Sequence, residues 1–122
     1  MRARMSIAYS GAQVELREVV LKDKPPAMLE VSPKGTVPVL IDIDGTVIEE
    51  SLDVMRWALA QHDPENWLDG LGLDDPLISA SDDEFKHWLD RYKYAVRFPE
   101  HSEQWYRKQG ELFPDQLEQL LT

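Results

Sequence analysis

Apolar positions change their period several times along the chain, and each change predicts an element. Residues 2–10 space Ala3, Ile7 and Ala8 as a helix does, and Gly11 follows as a C-terminal stop. Residues 14–21 alternate, with Val14, Leu16 and then Val19-Val20-Leu21, which predicts a strand. Residues 22–26 read as a turn, and residues 26–31 as a short helix with Pro26 at its first position, ended by Ser32-Pro33-Lys34-Gly35. Residues 37–43 predict a strand, Asp44-Gly45 a two-residue type I′ turn and residues 46–48 the returning strand. Ser51 is then expected to cap a helix to about His62, with Leu52, Met55 (or Val54) and Leu59 at helical spacing.

Residues 63–81 carry two Pro, two Gly and many Asp and read as a connector. Residues 82–98 predict an amphipathic helix with Phe85, Trp88, Leu89, Tyr92 and Val96 on one face, broken by Pro99. A further helix over residues 100–121 is expected to be interrupted near Gly110 and Pro114. Trp57, Trp88 and Trp105 read as packing residues. His62, His87 and His101 lack the spacing of metal ligands.

At 122 residues and 43% hydrophobic content, the chain suits one domain, or a small domain plus part of another. It has no Cys, which excludes disulfides and thiol chemistry by its own residues and fits a cytoplasmic protein. Its apolar runs are far too short for a bilayer, and its opening lacks the apolar stretch of a signal peptide, so neither membrane insertion nor export is expected. The net charge of −10 is concentrated between Asp42 and Glu84, where 13 acidic residues accompany one basic residue, Arg56. A field of that sign repels phosphate backbones and speaks against nucleic-acid binding; its plain reading is a solvated acidic surface.

The segment from Ser32 to Ser51 supports two chemistries. Val39 to Ile48 resembles the first motif of the haloacid-dehalogenase-like phosphatases, a hydrophobic strand followed by D-x-D-G-T. That resemblance implies Asp42 as the nucleophile on phosphorus, Asp44 as the proton donor to the leaving group, and a magnesium ion between them. The downstream Ser or Thr, Lys and further acidic pair of such enzymes have no clear counterpart, and an Asp-Gly turn between apolar strands is a common hairpin signal.

The other chemistry draws on more of the chain. Pro38 stands at the start of a strand, where its missing N–H costs least, and X-Pro bonds are the ones that adopt cis at moderate cost. A cis bond there turns the main chain of Val37 outward as an edge for an extended peptide. Glu50-Ser51 opens a helix whose first N–H groups and Ser51 hydroxyl suit an α-carboxylate, while Glu50 suits an α-ammonium. Lys24 offers a cation to a second carboxylate. These demands fit an elongated tripeptide with an amino-carboxylate head.

With Lys22-Asp23-Lys24-Pro25, then Ser32 through Leu40, then Ile48 and Glu50-Ser51-Leu52-Asp53 in this order, the chain resembles the glutathione-binding half of the glutathione S-transferases, closest in style to omega-like members. The resemblance implies an α/β fold, with a thioredoxin-like unit over residues 1–64, a connector over residues 65–81 and part of an all-helical domain over residues 82–122. It implies glutathione as cosubstrate, an electrophile or disulfide as second substrate, and a homodimer. By the same carry-over Val37 pairs through its backbone with the cysteinyl unit, Pro38 is the cis proline, Glu50 and Ser51 hold the γ-glutamyl head, and Lys24 sits near the glycyl carboxylate. Arg2-Ala3-Arg4 matches the R-x-R of the family's first helix. The first strand and the loop bearing the catalytic Cys, Ser or Tyr are then expected to be missing ahead of Met1, which predicts weak or absent catalysis by these residues alone. A non-catalytic binding or dimerisation module of the same fold is the alternative.

Overall fold

The computed structural model describes residues 1–69 and 72–122, and the chain divides into two compact units, Met1–Leu73 and Asp74–Thr122. The portion of the expected connector at residues 70–71 lies outside the described residues.

The first unit is built on three helices and a hairpin. Helix α1 (Arg2–Ser10) ends where Gly11 takes φ 72°, and the Gly11 N–H closes on the Ala8 and Ile7 carbonyls. A left-handed residue at that place favours glycine because it carries no Cβ. Helix α2 (Pro26–Val31) starts on its proline. Strands β1 (Leu40–Ile41) and β2 (Val47–Ile48) pair antiparallel, Leu40 opposite Ile48 and Ile41 opposite Val47. Helix α3 (Ser51–Gln61) follows directly.

The core of this unit lies between α1 and α3. The buried residues of α1 are Ala3, Ser6 and Ser10, and those of α3 are Val54, Ala58 and Leu59. Small residues let the two backbones approach. The serines tolerate burial because each hydroxyl donates to its own helix, Ser6 to the Arg2 carbonyl at 3.1 Å and Ser10 to the Ile7 carbonyl at 3.0 Å. Ties at both ends fix the direction of packing. The Arg2 Nε donates to the Ser51 hydroxyl at 2.8 Å at one end. At the other end His62 Nδ1 lies 3.3 Å from the Ser10 carbonyl and the Tyr9 hydroxyl donates to Asp63 at 3.2 Å. The helices therefore run parallel, with both N-termini at the same end.

Two expectations for this unit are corrected. Residues 14–21 form no strand; the segment contributes only the isolated Val20–Asp23 bridge, and Val14, Leu16, Val20 and Leu21 are exposed. Alternation qualifies a segment for pairing, but a strand exists only where a neighbour accepts its backbone bonds, and none does among the described residues. The hairpin strands are shorter than residues 37–43 and 46–48 suggested, and the turn is not type I′. That type needs positive φ at both central residues, whereas Asp44 has none and Gly45 alone does, at φ 87°. The Gly45 N–H donates to the Asp42 carbonyl at 2.9 Å, and the Asp42 N–H to the Thr46 carbonyl at 2.9 Å. This is the three-residue loop ending on a left-handed glycine.

The second unit is helical. Asp75 caps α4 (Pro76–Ser79), accepting from the Leu77 N–H at 2.8 Å. The helix continues through a π-helical stretch (Ala80–Phe85) into α5 (Lys86–Lys93), and a short 3₁₀ turn (Ala95–Arg97) follows. The expected helix over residues 82–98 thus begins earlier and ends earlier. Val96 leaves its apolar face and is 95% exposed. Helix α6 (Glu103–Leu121), capped by Ser102, runs through Gly110 and Pro114 without the expected interruption. Packing accounts for this. The Trp88 Cβ would lie 3.7 Å from a Cβ at position 110, and Phe85 meets Phe113 at 5.4 Å between ring centroids, so α5 and the π-helical stretch pack against α6 beside its two weak positions.

Candidate functional site

The hairpin leads directly to the N-terminus of α3. The pairing ends at Leu40 and Ile48, so Pro38 stands two residues before β1 and Glu50 two residues after β2. The Val37–Pro38 peptide bond is cis. Val37 is 51% exposed, and among the described residues its N–H and C=O have no backbone partner. Val37 and Pro38 thus lead into β1, and Glu50 and Ser51 follow β2, at the end of the hairpin away from its turn.

The helix start itself is open. Glu50 rather than Ser51 occupies the capping position, and its side chain makes no cap bond. The first backbone bond of the helix runs from the Val54 N–H to the Glu50 carbonyl at 3.0 Å, which leaves the N–H groups of Ser51, Leu52 and Asp53 without a helical acceptor. Ser51 is the first helical residue, and its hydroxyl accepts from Arg2 instead of capping its own helix. That oxygen keeps its own proton for a further acceptor.

Charge near the opening comes from Lys34, which had no assigned role in the sequence, and from Arg2. Lys34 Nζ pairs with Glu50 Oε1, and that hydrogen bond to Glu50 holds the Lys34 ammonium above the usual lysine range. Ser32, fully buried, donates its hydroxyl to Glu49. Gly35, buried and at φ 63°, lies against Lys24, whose Cδ and Nζ would stand 3.4 and 3.5 Å from a Cβ there. Lys34 is thereby carried by the loop that leads into β1, Lys24 lies against that loop from the turn ahead of α2, and Arg2 reaches Ser51 from α1. The Ser-Pro-Lys-Gly tetrapeptide was the available signal for Lys34; it read as a turn because a side chain's long-range partner is not visible in local pattern.

The two aspartates of the D-x-D-G-T stretch are tied into the hairpin. Asp42 accepts from the Ile43 N–H at 2.7 Å and from the Trp57 indole N–H at 2.7 Å. Asp44 accepts from the Thr46 N–H at 2.9 Å, and that bond, with the Thr46 hydroxyl, holds its carboxyl below the usual aspartate range. Among the described residues no group of three or more His, Cys, Asp or Glu is placed to hold a metal ion.

The sequence model described as glutathione S-transferase, N-terminal domain, matches residues 1–67, more than half of the chain. The chain belongs to the glutathione S-transferase family. No curated protein and no solved structure matches it. As in the family's N-terminal domain, the first unit is a thioredoxin-like α/β fold, and helices follow it. None of the helices among the described residues is long and apolar enough to cross a membrane.

Proposed function

We propose that a glutathione-binding unit over residues 1–64, within the first unit, binds glutathione along the hairpin edge and the start of α3. Val37 pairs with the cysteinyl unit through its main chain beside the cis Pro38. The γ-glutamyl carboxylate takes the free N–H groups of α3 and the Ser51 hydroxyl proton, and Glu50 takes the ammonium in place of Lys34. Lys24 faces the glycyl carboxylate. The single observation that supports this reading is the hairpin: an unpaired main-chain segment leads into β1 and an uncapped helix N-terminus follows β2, at the end away from the turn. A helix start attracts a carboxylate through its dipole and its unsatisfied N–H groups.

The reaction that accompanies such binding is attack of the glutathione thiolate on an electrophile, giving the conjugate, or on a disulfide, expelling a thiolate, and the reading assigns positioning rather than catalysis to these residues. A cytoplasmic homodimer, with a connector over residues 65–81 and a helical domain over residues 82–122, completes the proposal. Isothermal titration of the full chain with glutathione tests it. Saturable heat that weakens several-fold in Ser51→Ala, with the circular dichroism spectrum unchanged, is the expected result. Absence of binding by the unaltered chain, or equal affinity in the variant, overturns the assignment.

A further inference from the structure

Residues 12–20 run from the end of α1 at Gly11 to a tight turn in which the Asp23 N–H donates to the Val20 carbonyl at 2.9 Å. Among the described residues, no backbone N–H or C=O of residues 13–19 has a backbone partner. Their side chains sort by parity. Ala12, Val14, Leu16 and Val20 hold even positions, with Glu18 the exception, and Gln13, Glu15 and Arg17 hold odd ones, with Val19 the exception. Drawn out as a strand, the segment has one apolar and one charged face. Val14 is 45%, Leu16 62% and Val20 67% exposed, so the apolar set is open to solvent. Unpaired backbone beside exposed apolar side chains is a template for another strand.

Charge identifies the strand that fits. Two copies pairing antiparallel about a two-fold axis set opposite each other residues whose numbers add to an even sum, because opposite residues share a face and the axis preserves it. A pairing centred on Glu15 or Glu18 sets glutamate against glutamate, and one centred on Arg17 sets arginine against arginine; like charges directly opposite are destabilising. Centred on Val14, the ladder runs into α1 within four residues, and centred on Val19 or Val20 it needs residues 22 and 23, which the turn after Val20 takes. The remaining centre, Leu16, uses residues 12–20 and no others. It sets Glu15 opposite Arg17 of the second copy, and Arg17 opposite its Glu15, on one face. On the other face Leu16 meets Leu16 of the second copy, flanked by Val14 and Val20. Within one copy Arg17 and Glu15 already pair at 2.9 Å, so association exchanges one such pair in each copy for two across the interface. Glu18, the acidic exception on the apolar face, is held by Arg4 at 2.9 Å.

We propose that residues 12–20 form an interface between two copies of this chain, an antiparallel two-stranded ladder centred on Leu16. The segment is irregular in the single copy because it lacks the neighbour that the second copy supplies. No residue assigned to glutathione takes part in this interface, so the two readings stand or fall separately.

The chain has no Cys, so a single introduced cysteine in the full chain reports on its own counterpart. Leu16→Cys is expected to give a disulfide-linked dimer on a non-reducing gel after mild oxidation, because residue 16 faces its counterpart. Val14→Cys and Val20→Cys are expected to stay unlinked: each lies four residues or more along the ladder from its counterpart, at least about 13 Å, beyond the roughly 7 Å between Cα atoms that a disulfide spans. Sedimentation equilibrium of the unaltered chain should show a monomer–dimer equilibrium, with circular dichroism as the check on folding of each variant. Glu15→Lys and Arg17→Glu each set like charges opposite at two points and should raise the dissociation constant about tenfold, whereas the two substitutions together should restore it. Equal cross-linking at the three positions, a monomer at every concentration, a dimer that neither single variant weakens, or a double variant no tighter than the singles overturns the proposal.

Discussion

Val54→Ala is the most direct measure of whether the α1–α3 interface stabilises the first unit. Val54 is 1% exposed and lies one turn into α3, behind the residues that form the open helix start. Removing two buried methyl groups forfeits about 1.6 kcal/mol of transfer free energy, at about 0.8 kcal/mol per group. If the vacated space of roughly 40 Å³ does not collapse, the cavity adds about 1 kcal/mol, at about 24 cal/mol per Å³. The expected loss is therefore about 2.5 kcal/mol, or roughly 10–20 °C in melting temperature for a unit of this size.

Urea unfolding followed by tryptophan fluorescence checks it, in a Trp88→Phe, Trp105→Phe background so that Trp57 and Trp67 report on the first unit. The denaturant slope should be unchanged while the midpoint falls. Val37→Ala, at a 51% exposed position, is the control and should cost under about 0.5 kcal/mol. A Val54→Ala loss no larger than that control would refute the placement of the core.

Two further outcomes follow from the same geometry. Gly35→Ala forces an L side chain into φ 63° with its Cβ 3.1 Å from Leu29 Cδ2, so thermal melting should show a loss of about 1–3 kcal/mol. For Asp63, partial burial pushes its carboxyl upward, but the Leu68 and Trp67 N–H groups and the Tyr9 hydroxyl outweigh it and leave it below the usual aspartate range. A depressed folded value contributes stability that is present above the unfolded value of about 3.9 and lost as pH falls through the folded one. Urea midpoints of the unaltered chain should thus exceed those of Asp63→Asn by a constant margin from pH 7 to about 5, and the margin should shrink below about pH 4. A margin that does not change with pH would contradict the assignment.

Much of the first unit was legible locally. The stop at Gly11, the proline start of α2 and the place of the hairpin depend on φ preferences and missing donors within a few residues, and these act in any surroundings. The family membership was legible for a related reason, since it rests on residue types at fixed spacing through residue 67. The candidate site was half legible. Val37, Pro38, Glu50 and Ser51 were found as residues, whereas the role of Ser51 as an acceptor for Arg2 was not, because the two are 49 positions apart.

Taken alone, the order of residues determined which segments were able to be helix, turn or strand, and which side chains carried the chemistry. Tertiary structure decided what each segment did with that capacity. Residues 14–21 carry a strand's alternation but lack a neighbour, and remain unpaired apart from one bridge. Gly110 and Pro114 weaken α6 locally, but the helix runs on where aromatic residues of α5 and the π-helical stretch pack beside them. Lys34 reaches Glu50, Ser32 reaches Glu49 and Arg91 lies over Phe98 only after the chain has closed. The physical division is one of range: backbone preferences are properties of a few consecutive residues, whereas pairing, burial and charge compensation depend on partners that folding alone supplies.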